Sequence, residues 1–164
     1  MAEPEGFREF VAARQPALLR TAWLLTGDWH HAQDLVQVAL ARVWPRWAAV
    51  AGRGDPDAYV RKVLVNSYLT WRRRRWHGEQ PTGQLPDPAA DRDDFASADL
   101  RTALARVLPG LPPRQRAVLV LRFYEDLSVE QAAAALGCSP GTIKSQTSKA
   151  LAALAAQAPV RSLR

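Results

Sequence analysis

A run of small polar and basic residues near the end of the chain is the first group that could do chemistry. Residues 137–151 read GCSPGTIKSQTSKAL, and a helix that starts at Ser139 would turn these side chains outward: Thr142, Lys144, Ser145, Ser148 and Lys149. Lysine ammonium groups bind phosphates or the acceptor atoms of guanine, and short hydroxyl side chains let a helix approach base edges. The pattern predicts a helix that reads duplex DNA, and a solvated polar helix face is the alternative.

Four consecutive arginines between two tryptophans, WRRRRW at residues 71–76, form a second candidate group. By themselves they suggest a basic stripe with aromatic stacking platforms. Consecutive residues of a helix point about 100° apart, so only about half of the arginines can face one nucleic-acid strand. We expect Arg72 and Arg73 to contact the strand backbone. Trp71 is interpreted as a core residue and Trp76 as a cover of the helix end.

No pattern in the chain predicts catalysis, and we expect no enzyme activity, no catalytic residue and no cofactor. The sequence has no GxGxxG, no Walker loop, no GxSxG and no convincing pair of carboxylates. His30 and His31 point apart on a helix and lack further ligands at metal-binding spacing, so we interpret them as solvated side chains rather than as a metal site. Cys138 is interpreted as a space-filling side chain rather than as a redox sensor.

The composition favours a polyanionic partner. Of 164 residues, 22 are Lys or Arg and 16 are Asp or Glu, which gives a net charge of +6. No stretch approaches 18 uninterrupted apolar residues, the N-terminus lacks the features of a signal peptide, and a single cysteine cannot form an internal disulfide. We therefore expect a soluble cytoplasmic protein with no membrane partner and no small-molecule substrate.

The elements around the first group have the spacing of a helix-turn-helix. Three residues fit two closely packed helices and the turn between them: Ala133 is small, Gly137 suits a positive φ, and Ile143 is an apolar anchor. Ser128, with a glutamine three residues later, fits a capping box for the first helix. Ser139, followed by proline, fits the start of the second helix.

The first half of the chain also predicts helices. Apolar residues around Phe7 and Phe10 indicate a short helix that ends near Pro16, where a second helix begins. Asp28 can cap a third helix, which carries an apolar stripe and stops before Pro45. These elements form a helical bundle with polar residues on its outer faces.

A loop and a long helix complete the first half. The stretch RWAAVAGRGD, residues 46–55, contains two glycines and is interpreted as a loop. Asp55, followed by proline, has the pattern of an N-cap with proline at the first helical position. It opens a long helix through DAYVRKVLVNSYLTWRRRRW, residues 57–76, whose inward side includes Val60 and Leu64.

A stretch of different composition divides the chain. Residues 77–96, HGEQPTGQLPDPAADRDDFA, contain three prolines, two glycines and five acids, which predicts a flexible acidic linker. The flanking blocks are basic, because 12 basic and 7 acidic residues lie in 1–76 and 9 basic and 4 acidic residues lie in 97–164. No strand-like alternation is found. The predicted fold class is all-α, with two small helical domains, 1–76 and 97–164, joined by this linker.

Two segments of the chain resemble the sigma factors of bacterial RNA polymerase. LPPRQRAVLVLRFYEDLSVEQAAAALGCSPGTIKSQTSKALAAL is similar to their region 4, and HAQDLVQVALARVW followed by DPDAYVRKVLVNSYLTWRRRR is similar to their region 2. The compact two-domain layout resembles the extracytoplasmic-function (ECF) branch, and PALLRTAWLLTGD is closest to its SigE-like subfamily. The resemblance covers nearly the whole chain, with the two regions in the family's order.

For the first domain, the resemblance implies docking on core RNA polymerase. Asp34 and Gln37 take the positions of the motif that docks on the clamp helices of the β′ subunit in the family, and Arg42 lies nearby. Val38 stands where many members carry Glu. An acid, an amide and an arginine form a suitable polar patch, and ordinary solvated side chains are the alternative interpretation.

The resemblance also implies that the first domain recognises and melts the −10 element. Asn66 takes the family's asparagine position, and its amide offers both a donor and an acceptor to a base edge. Arg61 and Lys62 would hold strand phosphates. The loop AGRGD falls where family members capture a base flipped from the non-template strand. The alternative for Asn66 is a hydrogen bond within the protein.

For the whole chain, the resemblance implies a non-catalytic subunit that binds core RNA polymerase and directs promoter-specific initiation. The second domain would read the −35 element as duplex DNA, and the β flap would be a second polymerase contact. An anti-sigma factor remains open as a further partner. Two other functions remain open as well: a stand-alone helix-turn-helix regulator with an N-terminal sensing or dimerisation domain, and an interaction protein that occupies the polymerase clamp without reading DNA.

Overall fold

Eight α-helices form the part of the chain that the computed structural model describes, residues 3–75 and 95–157. No strand occurs within these two ranges, so the predicted all-α class is confirmed. The chain divides into two compact units, Met1–Ala89 and Ala90–Arg164. Nearly all of the predicted linker lies outside the described residues, and the predicted domain bounds stay predictions. None of the described helices is both long and apolar enough to cross a membrane.

The first unit contains α1 (Phe7–Thr26), α2 (Trp29–Val43), α3 (Trp47–Gly52) and α4 (Pro56–Arg75). Helix α2 packs on both α1 and α4. The core consists of completely or almost completely buried side chains from these three helices: Leu24, Leu25, Val36, Val43, Val60, Leu64 and Tyr68. The apolar stripe predicted for α2 is buried in this core, and its opposite face is therefore left to solvent.

The predicted starts of α2 and α4 are confirmed because their signals are local. Gly27 ends α1 with a φ of 77°. The Asp28 carboxylate accepts hydrogen bonds from the backbone amides of His30 and His31, which caps α2. Asp55 accepts one from the amide of Ala58 at the start of α4, at 3.2 Å.

The predicted break at Pro16 is wrong, since α1 runs through it without interruption. A proline inside a helix removes one backbone hydrogen bond and crowds the preceding turn, at a cost of about 3 kcal/mol. Here Pro16 lies on the exposed face, and so does Ala12, whose carbonyl loses its partner. Water can solvate that carbonyl, and the burial of Phe7 and of Leu24 and Leu25 holds both halves of α1 against the unit.

The predicted loop over residues 46–55 is also wrong for most of its length. Trp47–Gly52 is the short helix α3, and Trp47 is only 4% exposed. Its ring centroid lies 5.4 Å from that of Phe7 and 5.0 Å from that of Phe10, and its Nε1 donates to the carbonyl of Glu5 at 2.9 Å. These contacts, more than 35 residues away in the chain, hold the segment in place despite its glycines.

The second unit contains α5 (Phe95–Val107), α6 (Pro113–Leu119), α7 (Val129–Leu136) and α8 (Pro140–Gln157). A π-helical turn, Val120–Tyr124, follows α6 directly. Helix α8 packs on α6 and α7. The core of the second unit is formed by completely or almost completely buried side chains: Leu108, Ala117, Val118, Leu119, Leu121 and Ile143.

Helices α7 and α8 form the predicted helix-turn-helix. Ser128 and Gln131 make both hydrogen bonds of the capping box. Gly137 ends α7 with a φ of 69° and donates its amide to the carbonyl of Ala133, which is itself buried. Ile143 is completely buried. The three spacing residues therefore fill the roles that the sequence predicts.

Two glycines of this motif give a pair of opposite stability predictions. Gly137→Ala should lower the free energy of unfolding by about 1 kcal/mol, because alanine is strained at a positive φ. Space is not the cause, since an added Cβ would meet nothing within 4 Å. Gly141→Ala, inside α8, should raise the free energy of unfolding by about 0.5–1 kcal/mol, because it reduces the entropy of the unfolded chain. Urea denaturation followed by circular dichroism measures both values, and equal signs would contradict the assignment of Gly137 as the turn residue.

Candidate nucleic-acid and polymerase interfaces

Burial of one side of α8 sets which residues it shows to solvent. Ile143 and Ala150 are completely buried and lie about 20° apart around the helix axis. Four of the five residues predicted to read DNA are exposed on the opposite side: Lys144, Ser145, Ser148 and Lys149. They cover an arc of about 140°, with the serines in the middle and a lysine at each edge. The fifth residue, Thr142, is half-buried beside this arc.

The centre of the exposed face of α8 is made of small residues. Gly141, Ser145, Ser148 and Ala152 follow one another at spacings of four, three and four residues, which places them in one row along the helix. Such a row allows close approach of a flat or grooved surface. The hydroxyls of Ser145 and Ser148 are then the polar groups nearest to that surface, and the longer lysines reach around it.

The start of α8 offers fewer backbone donors than a helix N-terminus usually does. Ser139 Oγ accepts a hydrogen bond from the Thr142 amide at 3.1 Å and lies 3.0 Å from the Thr142 hydroxyl. Pro140 has no amide proton. Of the first-turn amides, that of Gly141 is left for a phosphate. Thr142 is therefore held as part of the cap, which lowers its freedom to contact a base.

The five residues predicted to bind the −10 strand do not share one face of α4. Lys62, Asn66 and Arg73 lie within about 40° of one another around the axis. Arg61 and Arg72 lie about 20° apart on a flank roughly 100° away, and both are half-buried. A strand that contacts Asn66 would thus meet Lys62 and Arg73 first.

Asn66 takes part in a hydrogen bond within its own helix. Its Nδ2 donates to the carbonyl of Lys62 at 2.8 Å, and the side chain is half-buried. A planar amide with one donor engaged in this way has a defined orientation. A hydrogen bond within the protein, the alternative interpretation of Asn66, is thus one of the contacts that its side chain makes.

Trp71 is half-buried and lies between the first unit's core and its surface, so its interpretation as a core residue is only partly met. Its ring centroid lies 4.8 Å from that of His31 and 6.3 Å from that of Tyr68. Trp76, the other tryptophan of the basic stretch, lies outside the described residues. Among the described residues, no group of three or more His, Cys, Asp or Glu side chains could hold a metal ion.

The predicted docking residues lie on the outer face of α2, and one of them, Arg42, also forms a hydrogen bond with α4. Asp34 and Gln37 are exposed, and Val38 between them and α4 is 43% exposed. Arg42 is exposed as well, but its Nη1 donates to the Ser67 hydroxyl of α4 at 2.8 Å. Asp34, Val38 and Arg42 form one row at intervals of four residues.

A cleft of about 230 Å³ opens between this row of α2 and helix α4. Its lining combines apolar surface with charged and hydroxyl groups: His31, Asp34, Leu35, Val38, Arg42, Ser67, Thr70, Trp71 and Arg74. The sequence did not predict this cleft. The spacing of Asp34, Val38 and Arg42 was visible, but nothing local indicates that their row faces α4 rather than open solvent.

Comparisons with known proteins identify the two units. The family described as Sigma-70 region 2 matches residues 10–78, and the family described as Sigma-70, region 4 matches residues 101–154. An RNA polymerase sigma-E factor of Streptomyces avermitilis is 46% identical over 157 residues, which cover 96% of this chain and 87% of the relative. The RNA polymerase sigma-E factor of Streptomyces coelicolor is 45% identical over 163 residues, which cover 99% of this chain and 92% of the relative.

A solved structure gives the same answer for the fold. The sigma factor RpoE of Bartonella quintana was crystallised in complex with the anti-sigma factor NepR. It is 25% identical to this chain and superposes with a TM-score of 0.71. The match covers 92% of this chain and 95% of RpoE. The relatives are similar over nearly their whole length, and the two matching regions coincide with the bundle that carries α2 and α4 and with the helix-turn-helix. The chain belongs to the ECF sigma factors of bacterial RNA polymerase, of the sigma-E type.

Proposed function

We propose that this chain binds core RNA polymerase, directs it to promoters through two separate DNA contacts, and does so in the cytoplasm without catalysis of its own. The observation that carries the proposal is the exposed face of α8. Two serines stand at its centre, a lysine stands at each edge, and Ile143 behind them is completely buried. That face sits on the helix-turn-helix of a region 4 domain.

The second unit reads the −35 element as duplex DNA. Helix α8 enters the major groove with the row of small residues toward the bases, where Ser145 and Ser148 meet base edges. Lys144 and Lys149, at the two edges of the face, bind phosphates or guanine acceptors on either side of the groove. Thr142 and the Gly141 amide lie at the helix start, where a phosphate is favoured by the helix dipole.

The first unit handles the −10 element as a melted strand. Lys62 and Arg73 hold phosphates on either side of Asn66, whose amide meets an exposed base. Arg61 and Arg72, on the neighbouring flank, bind the backbone farther along. The connection between α3 and α4, residues 53–55, is the part of the predicted base-capture loop that remains outside a helix.

Polymerase docks on the outer face of α2. Asp34 and Gln37 contact the β′ clamp helices, Arg42 contributes from the next turn, and the second unit meets the β flap. An anti-sigma factor is a further partner that we propose, since a structural relative at 25% identity was crystallised with one.

Run-off transcription tests the proposal as a whole. Purified core RNA polymerase, with and without this protein, is given a library of genomic fragments. We expect transcripts of defined length from a small set of fragments, and only when both components are present. Tight operator binding without polymerase, and no added initiation, would favour a stand-alone regulator instead. Initiation without any sequence preference would favour a clamp-binding protein that does not read DNA.

Asp34→Ala should weaken the binding of core polymerase by roughly tenfold, because truncating a charged contact in an interface costs about 1–3 kcal/mol. The promoter preference of the remaining complexes should not change. Fluorescence titration of labelled protein with core enzyme measures the affinity. The matched control is Gln33→Ala, which is also exposed on α2 but lies about 100° away around the axis. An equal loss in both variants would contradict a docking site at Asp34.

Lys144→Ala should weaken binding to −35 duplexes about equally for all sequences. The slope of log affinity against log salt should fall by about 1, since one phosphate contact is lost. Arg106→Ala, an exposed cation on α5, serves as the control that should leave the slope unchanged. A loss confined to one base position, with the slope unchanged, would mean that Lys144 reads a base and does not bind a phosphate.

A further inference from the structure

A side-chain hydrogen bond joins helices α2 and α4 of the first unit. Arg42 of α2 donates from Nη1 to the Ser67 hydroxyl of α4 at 2.8 Å, across 25 residues of sequence. We infer that Arg42 is a positioning residue: by holding Ser67 it sets the orientation of α4 against α2 and so couples polymerase docking to reading of the −10 strand. This inference rests on the proposed function of the two helices.

Ser67 cannot act by touching a partner. It is 3% exposed and lies on the inner side of α4, about 100° around the axis from its neighbour Asn66. A rotation of α4 that moved Ser67 would therefore move Asn66 through the same angle. The hydrogen bond from Arg42 opposes that rotation, and through it the direction in which the Asn66 amide points is tied to α2.

The cleft explains why this bond is not redundant. On their inner faces α2 and α4 are held by close packing of completely or almost completely buried side chains such as Val36, Val43 and Leu64. On the side of Arg42 the two helices leave about 230 Å³ of open space between them. Packing contacts fall off steeply across such a gap. The Arg42 side chain that bridges the cleft is then a direct restraint on the relative orientation of the helices, in addition to the packing of their inner faces.

Arg42 can donate to Ser67 and contact polymerase at the same time. A guanidinium group has five N–H donors in a fixed fork, and one nitrogen is engaged with Ser67. The rest of the side chain is exposed in the same row as Asp34, the predicted docking residue. A docked partner that orders the guanidinium also orders α4. By thermodynamic reciprocity, capture of the −10 strand then strengthens docking.

The test compares hydroxyl-deleting variants on α4. Ser67→Ala removes the acceptor and leaves every residue predicted to contact polymerase or DNA unchanged. Thr70→Val removes the hydroxyl of a residue that lines the same cleft but does not form a hydrogen bond with Arg42. Each variant is measured for thermal stability, for affinity to core polymerase, and for −10 discrimination. Discrimination is the ratio of open-complex formation on a promoter from the run-off experiment to that on the same promoter with one −10 base changed.

For Ser67→Ala we expect discrimination to fall roughly three- to tenfold, which lies within the range of coupling effects measured for single residues. Affinity for core polymerase should stay within about twofold, because the docking face is intact. Thr70→Val should match the wild type in both measurements. Ser67→Thr, which keeps the hydroxyl, should discriminate as well as the wild type. If its extra methyl group prevents folding, the double variant Arg42→Met with Ser67→Ala tests the same point. That double variant should discriminate no worse than Arg42→Met alone.

Three results would overturn the inference. Wild-type discrimination in a folded Ser67→Ala variant would show that the bond positions nothing. An equal loss in Thr70→Val would point to general packing of the cleft, and additive losses in the double variant would show that Arg42 and Ser67 act independently. Absence of promoter-directed initiation by the wild-type protein would instead contradict the proposed function, so the two failures are distinct.

Discussion

Ile143 is completely buried, and the face that α8 offers to a partner follows from that burial. Removing a side chain of this size from water stabilises the second unit by about 1.5–3 kcal/mol. A turn of α8 that exposed Ile143 would lose that energy and bury Lys144 or Lys149 without a partner. The rotation of the helix about its own axis is therefore fixed by its apolar side, and the polar side is presented as a consequence. Gly137 adds the turn that lets α7 and α8 approach closely enough for this packing.

The same constraint shapes the first unit, with a different outcome. The apolar stripe of α2 is buried between α1 and α4, which leaves Asp34 and Gln37 on the outside. Helix α4 is also buried along one side, but the residues predicted to bind the −10 strand lie on two flanks. Lys62, Asn66 and Arg73 share one flank, and Arg61 and Arg72 share the other. Where α2 and α4 open into a cleft, a hydrogen bond from Arg42 to Ser67 joins the two helices across it.

The sequence predicted those features whose causes are local. The cap at Asp28, the capping box at Ser128 and the left-handed turn at Gly137 each depend on a few neighbouring residues, and all are found. The helical class and the buried anchor Ile143 follow from spacing alone. The outward direction of Lys144, Ser145, Ser148 and Lys149 follows in turn from that anchor.

The features that the sequence missed depend on distant contacts. Local signals at Pro16 and at the glycines after Trp47 predict a break and a loop, but burial of Phe7 and Trp47 against each other outweighs both. The bond between Arg42 and Ser67 has no sequence signal, because it depends on how two helices cross.

We propose a division of labour, in which α8 reads duplex DNA and α4 binds an opened strand. Binding of the assembled holoenzyme to two short probes, an upstream −35 duplex and a single strand carrying the −10 sequence, tests this division. Lys149→Ala should weaken binding to the duplex probe and leave the single-strand probe unchanged, and Asn66→Ala should do the reverse. A variant that loses both probes equally, or that loses the probe assigned to the other helix, would contradict the account.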